Sequence, residues 1–413
     1  MSPMTRHHDM PADLFAELAT GGGSQEAIRR LVRAQRSKHV ILLHGVVQMA
    51  REEQDRIALA GRDLLTEVQR RDRAAAQAVI SYPSVGAWAM HTLRGDQHIP
   101  GAQPAGLAAV AAAAAVRAGL DAEIEVAVTG GKVVLPSLGL TQVTDAESVT
   151  IRTAGISPGA EGWQDLRQAS SGDLDVIIDD LDPFRMPADD GAPAGRLTAA
   201  ELDGFRTVLR DAWTVLPRSS AEQIAAVVKV VVPYQAPEGG LVSTSSPESF
   251  GTVAMSRQPD KYTCAETLVH ETQHLKLCAL LDMVPMTRRP DDGQRYYAPW
   301  RTDPRPASGL LQGAYAFLGV SGFWRGQRHT APEAEIKSRA EADFVRWRDG
   351  AAQVAQSLLD SGQLTEEGET FVTTMAQVLE AWRLEPVPTA AHELARYKAD
   401  RHLAQWRADN DPS

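Results

Sequence analysis

Residues 263–282 constrain this chain more than any other stretch. They read TCAETLVHETQHLKLCALLD, and neither glycine nor proline interrupts them. Leu268, Val269, Leu275, Cys278 and Leu281 recur at helical spacing, so the stretch is expected to be an α-helix. A helix this apolar is buried. His270 and His274, four residues apart, then leave the same face one turn above the other. Buried polar rings cost free energy unless they are paired or bound to a metal. The spacing lets both imidazoles close on one ion, with Glu271 in the adjacent sector.

A chain of 413 residues is long enough for two or three domains. Its 43% hydrophobic and 23% charged residues are ordinary for a globular protein. A net charge of -11 speaks against nucleic-acid binding, which calls for a basic surface. The two cysteines, Cys264 and Cys278, share the proposed helix and would lie roughly 21 Å apart along it, too far for a disulfide. That usage fits a reducing cytoplasm. Residues 1–15 hold no apolar leader, and the longest apolar run, residues 106–116, is too short to span a membrane. A cytoplasmic protein without membrane or nucleic-acid partners is the expectation.

Along the chain, His7, His8 and Asp9 sit in a loose terminus before the break at residues 21–24 and carry no role. Residues 25–77 read as long helix, with an apolar stripe through Leu31, Ile41, Val46, Ile57, Leu64 and Val68. His39 and His44 read as structural. Residues 105–119 form a small-residue helix. Residues 123–128 and 132–135 alternate across Gly130 and Gly131 and predict a β-hairpin. Two more strands follow at 148–153 and 174–179. Asp179, Asp180 and Asp182 read as a solvated turn. A polar stretch at 186–195 precedes renewed helix, which opens with a capping box at Thr198 and Glu201. Helices at 333–359 and 365–384 carry Trp347, Phe371 and Trp382 at core positions. His329, His392 and His402 have no spacing that ties them to the metal helix.

The fold class expected is α+β and mostly α. A helical catalytic body carries the HExxH helix, with a small antiparallel β-layer in the N-terminal half, and the chain is not a cupin or jelly roll. The segments are a flexible N-terminus at 1–24, an α/β region at 25–195 and a helical metal-binding region at 196–413.

Two histidines leave a metal site incomplete. A zinc peptidase would use Glu271 as general base and take a third ligand from downstream. The metzincin extension fails, because Leu275, Lys276 and Leu277 follow His274. Glu333, Glu335 and Glu341 are the acids available for a gluzincin, but they lie on a charged helix and read as surface groups. Residues 296–309 are more unusual, a proline-rich loop with several aromatics that holds Arg301 and Arg305. Two guanidiniums beside a metal helix suggest recognition of a carboxylate, or stacking of one of them on Trp300 or Tyr297.

Four ordered blocks then point to a family. SSPESFGTV (245–253), LVHETQH (268–274), WRTDPRP (300–306) and GLLQGAYAF (309–317) resemble the HExxH motif domain family. Its members include 2-oxoglutarate-dependent, non-haem iron peptide β-hydroxylases of ribosomal peptide (RiPP) pathways. AQRSKH (34–39) and YPSVGAW (82–88) extend the likeness over most of the chain. The resemblance implies Fe(II) on His270 and His274, with 2-oxoglutarate as cosubstrate. The far carboxylate of that cosubstrate would rest on Arg305 or Arg301, with Tyr315 beside it. Gln312, a polar residue on an apolar helix, needs a partner. It is implied either as third metal ligand or as a hydrogen-bond partner behind a histidine. Glu271 would orient a ligand or the substrate. The implied reaction is hydroxylation at Cβ of a residue in a precursor peptide. Two other readings stand beside it: a zinc metallopeptidase with Glu271 as general base, and a non-catalytic peptide-binding protein.

Overall fold

The computed structural model describes residues 9–96, 98–156, 162–186, 193–236, 238, 240–288 and 293–410. Among them, in chain order, come helices α1 (Ala12–Ala19), α2 (Gln25–Glu52), α3 (Arg56–Arg71), α4 (Arg73–Ile80), α5 (Pro83–Arg94) and α6 (Gly106–Arg117). Seven strands follow: β1 (Glu123–Ala127), β2 (Lys132–Leu135), β3 (Gly139–Gln142), β4 (Ser148–Arg152), β5 (Trp163–Asp165), β6 (Arg167–Ser171) and β7 (Leu174–Ile178). Then come α7 (Ala199–Trp213), α8 (Arg218–Val227), β8 (Val230–Pro233), β9 (Ser243–Thr244) and β10 (Thr252–Met255). The chain closes with α9 (Lys261–Leu281), α10 (Ala307–Thr330), α11 (Ala334–Asp360), α12 (Glu366–Arg383) and α13 (Thr389–Asn410). The class is α+β and mostly α, as expected. None of the sheets closes into a barrel among the described residues.

The chain divides into two compact units, one of residues 1–32, 211–227 and 259–413, the other of residues 33–210 and 228–258. This differs from a division near residue 195, for two reasons. Strands β8, β9 and β10 return to complete a sheet with β6 and β7. At the other end, α1 is not loose: it buries Leu14, Leu18 and Ala19 and packs on α12. His7 and His8 lie outside the described residues, as does most of the polar stretch at 186–195.

In the strand-bearing unit the expected long helix is cut at two N-caps. Asp55 accepts from Ala58 N at 2.9 Å, and Asp72 accepts from Ala74 N and Ala75 N at 3.0 Å. Each aspartate satisfies amide donors that a helix start leaves open, and so begins a new helix. The α3 and α6 backbones meet at Gly61, where an added Cβ would lie 2.6 Å from Ala108 N. The expected hairpin does not form. β1 pairs antiparallel with β4, and β2 with β3. Gly130 and Gly131, at φ +56° and +71°, turn the chain from one sheet into another. The β-layer is also not purely antiparallel, since β8 lies parallel to both β7 and β10.

The acidic turn requires a further correction. Asp179, Asp180 and Asp182 are 0%, 4% and 3% exposed, not solvated. Tyr82 OH donates to Asp179 at 2.7 Å and Ser84 Oγ to Asp182 at 2.6 Å, while Arg167 and Arg196 pair with Asp180. Buried carboxylates need such partners, and these come from distant parts of the chain.

The other unit is built on α9, α10 and α11, packed side by side and covered by α12. Its core includes Leu268, Leu275, Leu310, Leu311, Tyr315, Phe323, Trp324, Phe344 and Phe371. α10 is buried on most of its circumference, so its few polar side chains must find partners inside the protein.

Candidate metal centre

α9 starts at Asp260, whose carboxylate accepts from Tyr262 N at 2.8 Å and Thr263 N at 3.0 Å. That cap fixes where the helix begins and thus which side chains share a face. Most of α9 is buried, and Glu266, His270, His274 and Cys278 recur every four residues among its half-buried positions. These four share one side of the helix.

His270 Nε2 and His274 Nε2 lie 3.1 Å apart. Nitrogens each about 2.05 Å from one ion would be separated by about 2.9 Å at a right angle and about 3.3 Å at a tetrahedral angle. The observed spacing falls between the two. His274 Nδ1 lies 3.0 Å from Gln312 Oε1. An amide oxygen can only accept, so Nδ1 is the ring nitrogen that donates here, which leaves Nε2 as the one turned toward His270. Burial, and then the second imidazole, push His270 well below the ordinary histidine value. It is therefore neutral near pH 7, as a metal ligand must be.

Gln312 takes the position behind a histidine in this geometry. Its Oε1 sits on the Nδ1 edge of His274, away from the Nε2 pair, and its Nε2 donates to Cys278 Sγ at 3.4 Å. Among the described residues no group of three or more His, Cys, Asp or Glu side chains is placed to hold a metal. The protein donors that converge are thus the two imidazoles.

Aromatic rings wall the pair. Phe317 meets His270 edge to face with centroids 5.0 Å apart. Trp300 stacks on Phe317 at 4.5 Å, and Trp347 lies 4.4 Å from it. The Trp300 seat depends on Gly313, where a Cβ would lie 2.4 Å from the indole nitrogen.

The other expected residues lie elsewhere. Tyr315 donates to Leu18 O at 2.8 Å, and its ring packs on Phe371 and beneath the Lys276 ammonium. Lys276 is about 200° round α9 from His274, so Tyr315 serves the core behind the metal helix and not a cosubstrate. Arg301 and Arg305 share one carboxylate, Asp303, at 2.8 and 2.9 Å. Backbone hydrogen bonds of 2.8 and 2.9 Å between Tyr296 and Arg305 close the loop that carries them. Burial alone would raise Asp303, but the two arginine hydrogen bonds outweigh it and hold the carboxyl at about 2. At these arginines the observed carboxylate partner is the chain's own Asp303. Glu271 is 2% exposed, and it lies about 100° round the helix from His270, off the half-buried stripe. Tyr262 donates to Glu333, and Glu341 pairs with Arg328, so both acids have other partners.

One residue escaped the sequence reading. Arg346 on α11 places its guanidinium 4.1 Å over the Trp347 ring. Among the described residues no carboxylate lies within ion-pair distance of it. Burial pulls its pKa down, against the fields of Asp343, Glu266 and Tyr297. Glu266, one turn before His270, is itself pushed up to about 7, chiefly by burial. Arg346 is therefore a half-buried cation beside the aromatic wall of the histidine pair. Its run, Val345-Arg-Trp-Arg348, resembles any amphipathic helix, and only the tertiary packing marks it.

No family model matches the chain, and no curated protein matches it.

Proposed function

We propose that this chain is an Fe(II)- and 2-oxoglutarate-dependent oxygenase that hydroxylates Cβ of a residue in a ribosomally made precursor peptide. The observation that carries the proposal is the converging pair of imidazoles, 3.1 Å apart at Nε2, with one ring held from behind by Gln312. The ordered likeness of the blocks around residues 245–253, 268–274, 300–306 and 309–317 supports the same reading. In it, His270 and His274 hold the metal. The chemistry that bound Fe(II) and 2-oxoglutarate supply is oxidative decarboxylation to succinate coupled to insertion of one oxygen atom into a C–H bond. A site with few protein ligands suits this chemistry, which needs open positions for cosubstrate and oxygen.

The chain's own residues do the rest. Gln312 fixes the tautomer of His274. Phe317, Trp300 and Trp347 keep water from the pair. Arg346 replaces Arg301 and Arg305 as the guanidinium for a carboxylate, because Asp303 already occupies the other two.

Zinc peptidase chemistry is the second reading, favoured by the buried Glu271 next to His270. Protein loaded with Fe(II), 2-oxoglutarate and a co-expressed candidate peptide separates the two. The proposal expects succinate and a peptide one oxygen heavier. Cleavage that zinc restores and 2-oxoglutarate does not affect would establish the peptidase. As to location, no described helix is long and apolar enough to cross a membrane, and a cytoplasmic site of action is part of the proposal.

A further inference from the structure

We propose that the strand-bearing unit holds a binding site for a primary ammonium group on a short apolar stem, seated on Asp182 in a cavity between α5, α6, β1 and β2. The site is independent of the metal centre.

The three buried acids of the turn after β7 are not treated alike. Asp180 is neutralised by Arg167 and Arg196. Asp179 accepts from Tyr82 OH at 2.7 Å and from Leu181 N and Asp182 N at 3.1 and 2.9 Å. Asp182 accepts from Ser84 Oγ at 2.6 Å and Phe184 N at 2.8 Å, and among the described residues no cation pairs with its carboxylate. The neighbouring Arg185 donates to the Asp182 and Ala194 carbonyl oxygens and not to the carboxylate, and its charge offsets the burial of Asp182 only in part. Asp182 is 3% exposed. A carboxylate buried without a counter-charge is costly. Burial, followed by the nearby Asp179, accordingly pushes this carboxyl up to about 7.

Asp182 and Ser84 line a cavity of about 80 Å³, room for roughly five to eight water-sized groups. Trp88, Ala109, Val110, Val134 and Phe184 form its walls. An ammonium entering it would supply the missing counter-charge to Asp182. Ser84, having donated its proton to Asp182, keeps lone pairs for a second N–H. The aromatic rings of Trp88 and Phe184 in its lining suit a cation, and the aliphatic walls favour a short stem. Lys132 lies at the rim on the exposed start of β2. It selects against a second positive charge, so a monoamine fits and a diamine does not. The ammonium can come from a free amine or from a lysine side chain of a peptide.

The test is calorimetric titration of the full chain with n-butylammonium, n-butanol, 1,4-diaminobutane and an Nα-acetyl-lysine-amide peptide. Butylammonium should bind saturably and about tenfold or more tightly than butanol, since the charge carries the contact. Diaminobutane should bind more weakly than butylammonium. Asp182→Asn should lose about 30-fold or more, and Ala109→Leu, which fills the cavity, should abolish binding. Should Asp182→Asn fail to fold by circular dichroism, Ala109→Leu decides alone. Tighter binding of the lysine peptide assigns the site to a peptide partner, and tighter binding of butylammonium assigns it to a free amine; both support the site. No binding, equal binding of butanol, diaminobutane as tight as butylammonium, or wild-type binding by Ala109→Leu would overturn it.

Discussion

Replacing Gln312 by leucine tests how the site is tuned. Leucine nearly keeps the bulk but cannot accept the proton that His274 Nδ1 now donates across 3.0 Å. An orphaned buried N–H costs about 1–3 kcal/mol. The ring can escape that cost by moving its proton to Nε2, which faces His270 Nε2 at 3.1 Å. A metal must then reverse the shift in order to bind. Loss of such a partner behind a ligand weakens metal affinity about 10- to 100-fold, or roughly 1.4–2.7 kcal/mol. The contact to Cys278 adds little, because a thiol is a weak acceptor. Gln312→Glu keeps an acceptor and should bind metal at least as tightly as wild type. Co(II) titration of metal-free protein, followed by calorimetry and absorption, measures all three. Wild-type affinity in Gln312→Leu, to within about threefold, would refute the reasoning.

Other expectations follow from the same structure. Gly61→Ala should gain about 1 kcal/mol of helix propensity, yet its Cβ would meet the α6 backbone at 2.6 Å. Overpacking costs about 1–3 kcal/mol, so urea denaturation should show net loss, and a gain would contradict the α3–α6 contact. Arg346→Leu should weaken 2-oxoglutarate binding by about tenfold or more, whereas Arg301→Ala should leave it nearly unchanged; the reverse order would return the cosubstrate to Arg301. Folded His270 lies well below the ordinary 6.5, so below about 6.5 the unfolded chain binds a proton that the folded chain refuses. Stability of the metal-free protein should therefore fall with pH from that point by up to ~1.4 kcal/mol per unit. His270→Leu should flatten this part of the urea-midpoint profile, and an unchanged slope would argue against a neutral His270.

What could be read from the chain before its structure was mostly local. The run from Thr263 through Leu281 holds its own apolar faces and its own histidine spacing, so α9 and the imidazole pair were both visible, while the cap that starts the helix, Asp260, lies just before it. Gln312 stood out as a polar residue on an apolar helix. The N-caps at Asp55 and Asp72 are equally local, each set by an aspartate two or three residues before the amides it caps. So was the pairing of Arg301 and Arg305 through Asp303, two residues from each. Other features depend on distant partners. Tyr82 and Ser84 reach Asp179 and Asp182 across 97 and 98 residues, and no spacing rule predicts that. Strand pairing failed for the same reason: the two-glycine turn marked a reversal, but β1 found β4 and β2 found β3. Tyr315 looked like part of the site because its block did, and its actual partner, Leu18, is 297 residues away.

The central claim is that His270 and His274 hold iron together with a chelating 2-oxo acid. Anaerobic addition of 2-oxoglutarate to Fe(II)-loaded protein tests it most directly, through the visible charge-transfer band that such a chelate produces. The band should appear with wild type and vanish with His270→Ala. Its absence from wild type, or its persistence in His270→Ala, would contradict the account.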